Sequence, residues 1–287
     1  MDSGVPTDDG VLELRLAHSP DSDDAFMFYG LATNKVRAEG LKFAHVLEDI
    51  QTLNEKALES VYDVTAISFH AYAYLADQYV ILPSGASFGD GYGPVVVGHG
   101  PLGPEGLRGK RVAVPGKMTT AYLALLLYEP QIEPVVTPFD QILERVSSGD
   151  ADAGVVIHEG QLTYGFRGLM KLVDLGEWWQ GETALPLPLG GNAIRRSLGQ
   201  HVIRQVSRLL KESVQYGLDH REEALDYALQ FARGLDRPTA DRFISMYVND
   251  WTLDLGEPRQ QAVQTLLDRG FEGGLLPERV QAEFVDG

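Results

Sequence analysis

Hydrophobic and polar positions along the chain recur as a short apolar run, a polar loop and an amphipathic stretch. Residues 12–17 alternate as a strand, the loop His18-Ser19-Pro20-Asp21-Ser22-Asp23-Asp24 follows, and the apolar segment 25–31 reads as a helix. Aspartates in its first turn suit the positive end of the helix dipole. A second unit joins strand 42–46 to helix 49–59, with Leu53, Ala57 and Leu58 on one face. A third joins strand 63–67, through Ser68 at an N-cap position, to an aromatic helix over 69–79. Strand-loop-helix alternation predicts a parallel sheet.

Residues 85–103 are rich in glycine and proline around a short strand, 94–98, and read as a crossing between two lobes. A new series then starts. Strand 111–115 leads through Gly116-Lys117-Met118-Thr119-Thr120 into helix 121–128, strand 134–137 leads into helix 141–148, and strand 154–157 ends at His158. Residues 174–179 and 185–194 read as the return crossing, and helices are expected over 200–217, 221–233, 239–247 and 257–269. The predicted fold class is α/β, with two lobes, two hinge crossings and a cleft between the lobes. Residues 1–95 and 193–287 are expected to form the large lobe with its C-terminal helices, and 96–192 the small lobe that carries Thr119, Thr120 and His158.

Composition narrows the function. The chain has 287 residues, of which 44% are hydrophobic, enough for one large or two modest domains. A formal net charge of −17 would repel a phosphate backbone, so nucleic acid is not an expected partner. No run approaches the ~18 apolar residues of a membrane span, and membrane insertion is not expected either. Residues 1–10 carry three aspartates and no apolar core of a signal peptide, which places a chain that starts here in the cytoplasm. The absence of cysteine excludes disulfides, thiolate nucleophiles and cysteine-held metals, and leaves oxygen and imidazole chemistry.

His158 is the foremost chemical candidate. It stands at the carboxyl end of a strand, where open α/β sheets gather ligands, and imidazole is available in both proton states near neutrality. Ser19, Ser68 and the pair Thr119-Thr120 each open a helix, where unpaired N–H groups suit a carboxylate. An anionic small molecule is therefore the expected ligand. Glu159 should point away from its neighbour along an extended chain, and Asp140 reads as an N-cap. Tyr164, Phe69, Tyr72 and Tyr74 could wall an aromatic ligand, although such side chains more often fill cores. Asp21, Asp23 and Asp24 lack the glycine and distal glutamate of a calcium loop, and turn formation accounts for them. No metalloprotease, phosphate-loop or nucleophile-elbow motif occurs, and Gly89-Asp90-Gly91-Tyr92-Gly93 reads as a hinge loop.

Several segments in order carry a resemblance. These are Ser19-Pro20 with Asp24, Leu47-Glu48-Asp49-Ile50-Gln51-Thr52-Leu53-Asn54, Gly93-Pro94, and Val114-Pro115-Gly116 with Thr119-Thr120-Ala121-Tyr122. Ile157-His158-Glu159 with Thr163-Tyr164, Val173-Asp174-Leu175-Gly176 with Trp178-Trp179, and Leu185-Pro186-Leu187-Pro188-Leu189-Gly190 extend it. Together they resemble the 1,4-dihydroxy-6-naphthoate synthase family of the futalosine route to menaquinone. The resemblance implies a type II periplasmic-binding-protein-like fold and conversion of cyclic dehypoxanthine futalosine to 1,4-dihydroxy-6-naphthoate with release of a dihydroxyacetone-type fragment. It implies no organic cofactor and no metal. It also implies His158 as general base, Thr119 and Thr120 as contacts to the substrate carboxylate, a further substrate contact on Ala66-Ile67-Ser68, and first-loop contacts from Ser19 and Asp24. The first loop departs from the pattern: Pro20-Asp21-Ser22-Asp23-Asp24-Ala25 stands where some members carry Pro-Cys-Pro-Asn-Asp-Thr, and Ala66 stands where a lysine-type residue is expected. The expected partner is a small anionic precursor of an aromatic ring, and a homodimer stays open. Chorismate dehydratase, of the same fold family, and a non-catalytic solute-binding protein are the alternatives.

Overall fold

In the computed structural model, which describes residues 5–6, 11–103 and 106–286, the strands form two sheets. In chain order they are β1 Val5–Pro6, β2 Leu12–His18, β3 Leu41–Leu47, β4 Val64–Ser68, β5 Tyr79–Ile81 and β6 Ser87–Gly89, then β7 Val95–Gly98, β8 Arg111–Val114, β9 Glu133–Val136, β10 Ala153–Val156, β11 Met170–Asp174 and β12 Leu187–Arg195. The larger sheet runs β1-β2-β4-β12-β5, with β3 also on β2 and β6 also on β12; the smaller runs β11-β7-β10-β8-β9. Pairs within each strand-helix series are parallel, as in β2 with β3 and β4, and β8 with β9 and β10. Strands that follow a crossing run the other way: β12 is antiparallel to β4, β5 and β6, and β7 to β10 and β11. The sheets are therefore mixed rather than parallel. A chain arriving from the opposite unit enters the sheet without the helical return that makes neighbours parallel.

The helices are α1 Ser22–Ala32, α2 Ile50–Leu58, α3 Phe69–Tyr72, α4 Thr120–Tyr128, α5 Ile142–Ser147, α6 Gly160–Thr163, α7 Leu175–Thr183, α8 Gly199–Asp219, α9 Arg221–Ala228, α10 Arg237–Tyr247, α11 Asp250–Leu253 and α12 Gly256–Glu272. Helix α8 buries Ile203, Val206, Leu209, Leu210 and Val214 at helical spacing in one cluster with Phe26, Met27 and Phe28 of α1. A second cluster links Ile67 and Ile81 of the larger sheet and Phe69 of α3, through Leu266 and Leu267 of α12, to Val112, Val114 and Val155 of the smaller. It closes one side of the space between the sheets.

Four expectations need correction. The aromatic helix over 69–79 is only the four residues of α3, because Tyr79 opens β5, pairing with Arg195 and donating its hydroxyl to the Tyr62 carbonyl at 2.7 Å. Residues 174–179 are no crossing: Asp174 ends β11 and caps α7 through Gly176 N–H and Glu177 N–H, which places Trp179 in the core. Residues 185–194 are mostly β12, so the division expected at 192/193 falls inside a strand of the larger sheet. The helix expected over 221–233 stops at Ala228 and continues as a 3₁₀ turn, Leu229–Phe231. Of the N-terminal stretch 1–10, only 5–6 lie within the described residues. No helix among the described residues is long and apolar enough to cross a membrane.

Candidate active site

Loops from both sheets converge on a cavity of about 120 Å³. The eight residues that the resemblance assigns to the site all line it: Ser19, Asp24, Ala66, Ile67, Ser68, Thr119, Thr120 and His158. The larger sheet supplies two of its loops. After β2, Asp21 caps α1 by accepting the Asp24 N–H at 3.3 Å, and Asp24 in return accepts the Ser19 N–H at 2.8 Å. These reciprocal bonds hold Ser19, Asp21, Asp23 and Asp24 against the cavity. At the end of β4, Ser68 sits at the N-cap of α3 without capping it. The buried Asn54 of α2 engages it instead, accepting the Ser68 N–H at 2.9 Å and donating to the Ser68 hydroxyl at 3.0 Å.

The smaller sheet supplies the other two. Thr119 caps α4 by accepting the Tyr122 N–H at 3.2 Å and donates to the Gly116 carbonyl at 2.8 Å, so its hydroxyl is spent within the turn. Thr120 accepts the His70 N–H at 3.2 Å, and its hydroxyl proton has no acceptor among the described residues. The turn needs Gly116: a Cβ there would lie 2.1 Å from Gln51 Oε1, which accepts the Met118 N–H at 3.0 Å.

His158 lies two residues beyond β10 with φ +52, a left-handed backbone that only a minority of non-glycine residues adopt. Its Nδ1 is 3.0 Å from Asp21 Oδ2, a contact between loops of the two sheets, and its side chain is 17% exposed. The Phe139 ring packs edge-on against the imidazole with centroids 5.0 Å apart. Burial works to lower the His158 pKa, but the Asp21 charge and hydrogen bond outweigh it and the net shift is upward. Burial likewise works to raise Asp21, and the imidazolium overcomes it and holds the carboxyl down at about 2. Asp23 and Asp24 are pushed well above the carboxylate range, by burial first and the Asp21 charge second.

Glu159 does not lie on the extended chain expected, since its backbone is already helical at the start of α6, and it pairs with Arg233 at 2.6 Å. Arg233 also donates to the Pro20 carbonyl at 2.9 Å and lies 4.6 Å over the Phe139 ring. Asp140 is not an N-cap; it lies in a 3₁₀ turn, and Gln141 precedes α5. The aromatic wall differs from expectation. Phe69 and Tyr72 are core, Tyr74 is exposed, Tyr164 packs with Leu169 and Val156, and Phe243 and Tyr247 of α10 line the cavity. Tyr247 donates its hydroxyl to Gln161 Oε1 at 2.9 Å, another bond between the two units. Phe243 and Tyr247 fall within the helix expected over 239–247 but were not singled out there, and Gln161 carried no signal of its own. Asp21, Asp23 and His158 bring three metal-donor atoms within 4.8 Å of one another, but Asp21 and His158 satisfy each other and only Asp23 Oδ1 is left without a partner.

Residues 14–272 match the menaquinone-biosynthesis family. The chain is 43% identical over 272 residues to a 1,4-dihydroxy-6-naphthoate synthase from Thermus thermophilus, covering 95% of this chain and 99% of that protein. It is 38% identical over 273 residues to the enzyme of that name from Streptomyces coelicolor, covering 92% and 95%. A crystal structure of an Archaeoglobus fulgidus protein superposes with a TM-score of 0.88 at 49% identity, covering 92% of this chain and 98% of that one. The alkanesulfonate-binding protein from Xanthomonas axonopodis, at 16% identity, covers 94% and 96% with a TM-score of 0.70 and shows a shared periplasmic-binding-protein fold.

Proposed function

The chain belongs to the menaquinone-biosynthesis family, and from that premise we propose that it is a 1,4-dihydroxy-6-naphthoate synthase, a carbon-carbon lyase acting on cyclic dehypoxanthine futalosine in the cytoplasm. The observation that carries the reading is the single cavity that gathers a carboxylate-held imidazole and a helix N-terminus with a free hydroxyl. A binding protein needs only the second of these.

In this reading the two units close over the substrate about the segments leading into β7 and out of α7. The first N–H groups of α4 and the Thr120 hydroxyl hold the substrate carboxylate. His158 takes the proton of a substrate hydroxyl on Nε2, because Nδ1 is committed to Asp21. The oxygen then forms the carbonyl of the departing dihydroxyacetone-type fragment as the adjacent carbon-carbon bond breaks. The electrons of that bond pass to the ring, which regains a proton and tautomerises to the aromatic diol, so aromatisation supplies much of the driving force. Phe243, Tyr247 and Leu189 give the developing ring an apolar wall.

Incubation of purified protein with cyclic dehypoxanthine futalosine, followed by chromatography, tests the reading. Dihydroxynaphthoate should form with wild type and fall about 10²–10⁴-fold in His158→Ala, the usual contribution of a placed base. Well-folded wild-type protein that forms no product would overturn the activity, and a fully active variant would overturn the role of His158.

A further inference from the structure

We propose that Asp21 is the positioning residue for His158: by bonding Nδ1 from the opposite side of the cleft it keeps the single proton of the neutral ring off Nε2, and it does so only when the two units are together. The proposal rests on His158 being the base of the reaction above.

The geometry leaves Asp21 little freedom. Its side chain is 3% exposed, its Oδ1 is held by the Asp24 N–H that it caps, and its Oδ2 is thereby aimed at Nδ1 at 3.0 Å. An ionised carboxylate has no proton to give, so Nδ1 must be the donor, and in the neutral ring the Nε2 lone pair is left free for substrate. The other charged and titratable groups around the ring are already committed or lack a bond to it. Arg233 and Glu159 are paired with each other, Asp24 is bonded to the Ser19 N–H, and Asp23, with a carboxylate oxygen within 4.8 Å of an imidazole nitrogen, makes no hydrogen bond to the ring. The Phe139 ring and the left-handed backbone fix the imidazole plane, so the tautomer is the variable that Asp21 controls.

The pair also spans the cleft. Asp21 follows β2 of the larger sheet and His158 follows β10 of the smaller. Separation of the units removes the acceptor from Nδ1 and lets the neutral ring take either tautomer. Closure over a ligand restores the one form that can accept a proton at Nε2, which ties the readiness of the base to enclosure of the substrate.

Asp21→Asn tests this without disturbing the turn, because asparagine is as good an N-cap as aspartate. With its amide oxygen on the Asp24 N–H, its NH₂ group faces Nδ1 and donates to it, which drives the ring proton onto Nε2. The expected result is a kcat about 10²–10⁴-fold lower with KM little changed, the range of a lost base. The ¹⁵N spectrum of His158 should move from the Nδ1–H to the Nε2–H tautomer. Asp21→Ala loses the cap and is the less stable protein, yet its imidazole is free to choose, so its kcat should fall less than that of Asp21→Asn. A purely structural role predicts the reverse order. Wild-type kcat in Asp21→Asn, an unchanged tautomer, or a loss in Asp21→Ala equal to or greater than that in Asp21→Asn would overturn the proposal. Full activity in His158→Ala would instead overturn the assignment of the base, and the tautomer measurement would still decide whether Asp21 sets the ring.

Discussion

Arg233 and Glu159 join the two units beside His158. Arg233 lies on the segment that joins α9 to α10, which pack with α1 on the larger sheet, and Glu159 follows β10 of the smaller, with Nη1 2.6 Å from Oε1. The same guanidinium reaches the Pro20 carbonyl at 2.9 Å and covers Phe139. A half-exposed ion pair and a cation–π contact together contribute about 1 kcal/mol to the closed form. Arg233→Ala should therefore raise KM about fivefold and lower kcat less, with a small change in the urea midpoint. Steady-state kinetics beside urea unfolding checks this, and an unchanged KM would remove Arg233 from closure.

The residues legible in the sequence were those whose role is local. Thr119 opens a helix after a glycine turn and His158 ends an apolar run, and each signal lies within a few neighbouring positions. Asp21 read as a turn residue because its second partner comes from the other sheet, and no local pattern encodes that meeting. Arg233 and Tyr247 were missed for the same reason. The crossings misled where proline and glycine suggested a linker: Pro188 is tolerated in β12 because the register with β6 shifts there and a ladder N–H is not required. Residues 69–76 are apolar but for His70, so their pattern could not show that α3 stops at Tyr72.

The pH dependence should follow the raised pKa of His158. A base must be unprotonated to act, so kcat/KM should rise with pH through a value above the ordinary imidazole value of about 6.5, while Asp21 stays ionised. The same pair affects stability with the opposite sense. A histidine whose pKa is raised by folding adds stability that is fully present below the unfolded value and is lost as pH rises through the folded one. Activity should thus increase across a range where this contribution declines. A pH–rate profile with its acid limb below the ordinary imidazole value would contradict the pairing.

Thr119 and Thr120 should separate by phenotype although they are adjacent. Thr119→Val removes the cap of α4 and should cost about 1 kcal/mol of stability with little change in KM. Thr120→Val removes the hydroxyl proton left for the ligand. A hydrogen bond to a charged group contributes about 1.5–3 kcal/mol, so KM should rise about 10–100-fold. Stability should also fall by about 1–3 kcal/mol, because the buried His70 N–H loses its acceptor. Kinetics and denaturant unfolding on both variants check the contrast, and equal KM values would show that neither hydroxyl meets the substrate.

The pair β4 and β12 carries function at one end and stability at the other. Ser68 and Gly190 face each other at the cavity, whereas Val64 pairs with Ile194 at the opposite end, beside the buried ion pair of Asp63 and Arg195. There Asp63 Oδ1 lies 2.6 Å from Arg195 Nη2, Asp63 Oδ2 accepts the Arg15 N–H at 2.8 Å, and Arg195 Nη1 donates to the Ser60 carbonyl at 3.0 Å. Asp63→Ala leaves a buried guanidinium without its counter-charge and should cost about 3–5 kcal/mol in urea unfolding. The double variant Asp63→Leu with Arg195→Met removes both charges and should recover part of that loss, since the burial cost of the second ion disappears with the first. Turnover per folded molecule should stay near wild type in both, because neither residue lines the cavity. A variant that keeps its stability but loses turnover would mean that strain at this end of the strands reaches Ser68, and the division of labour along them would be wrong.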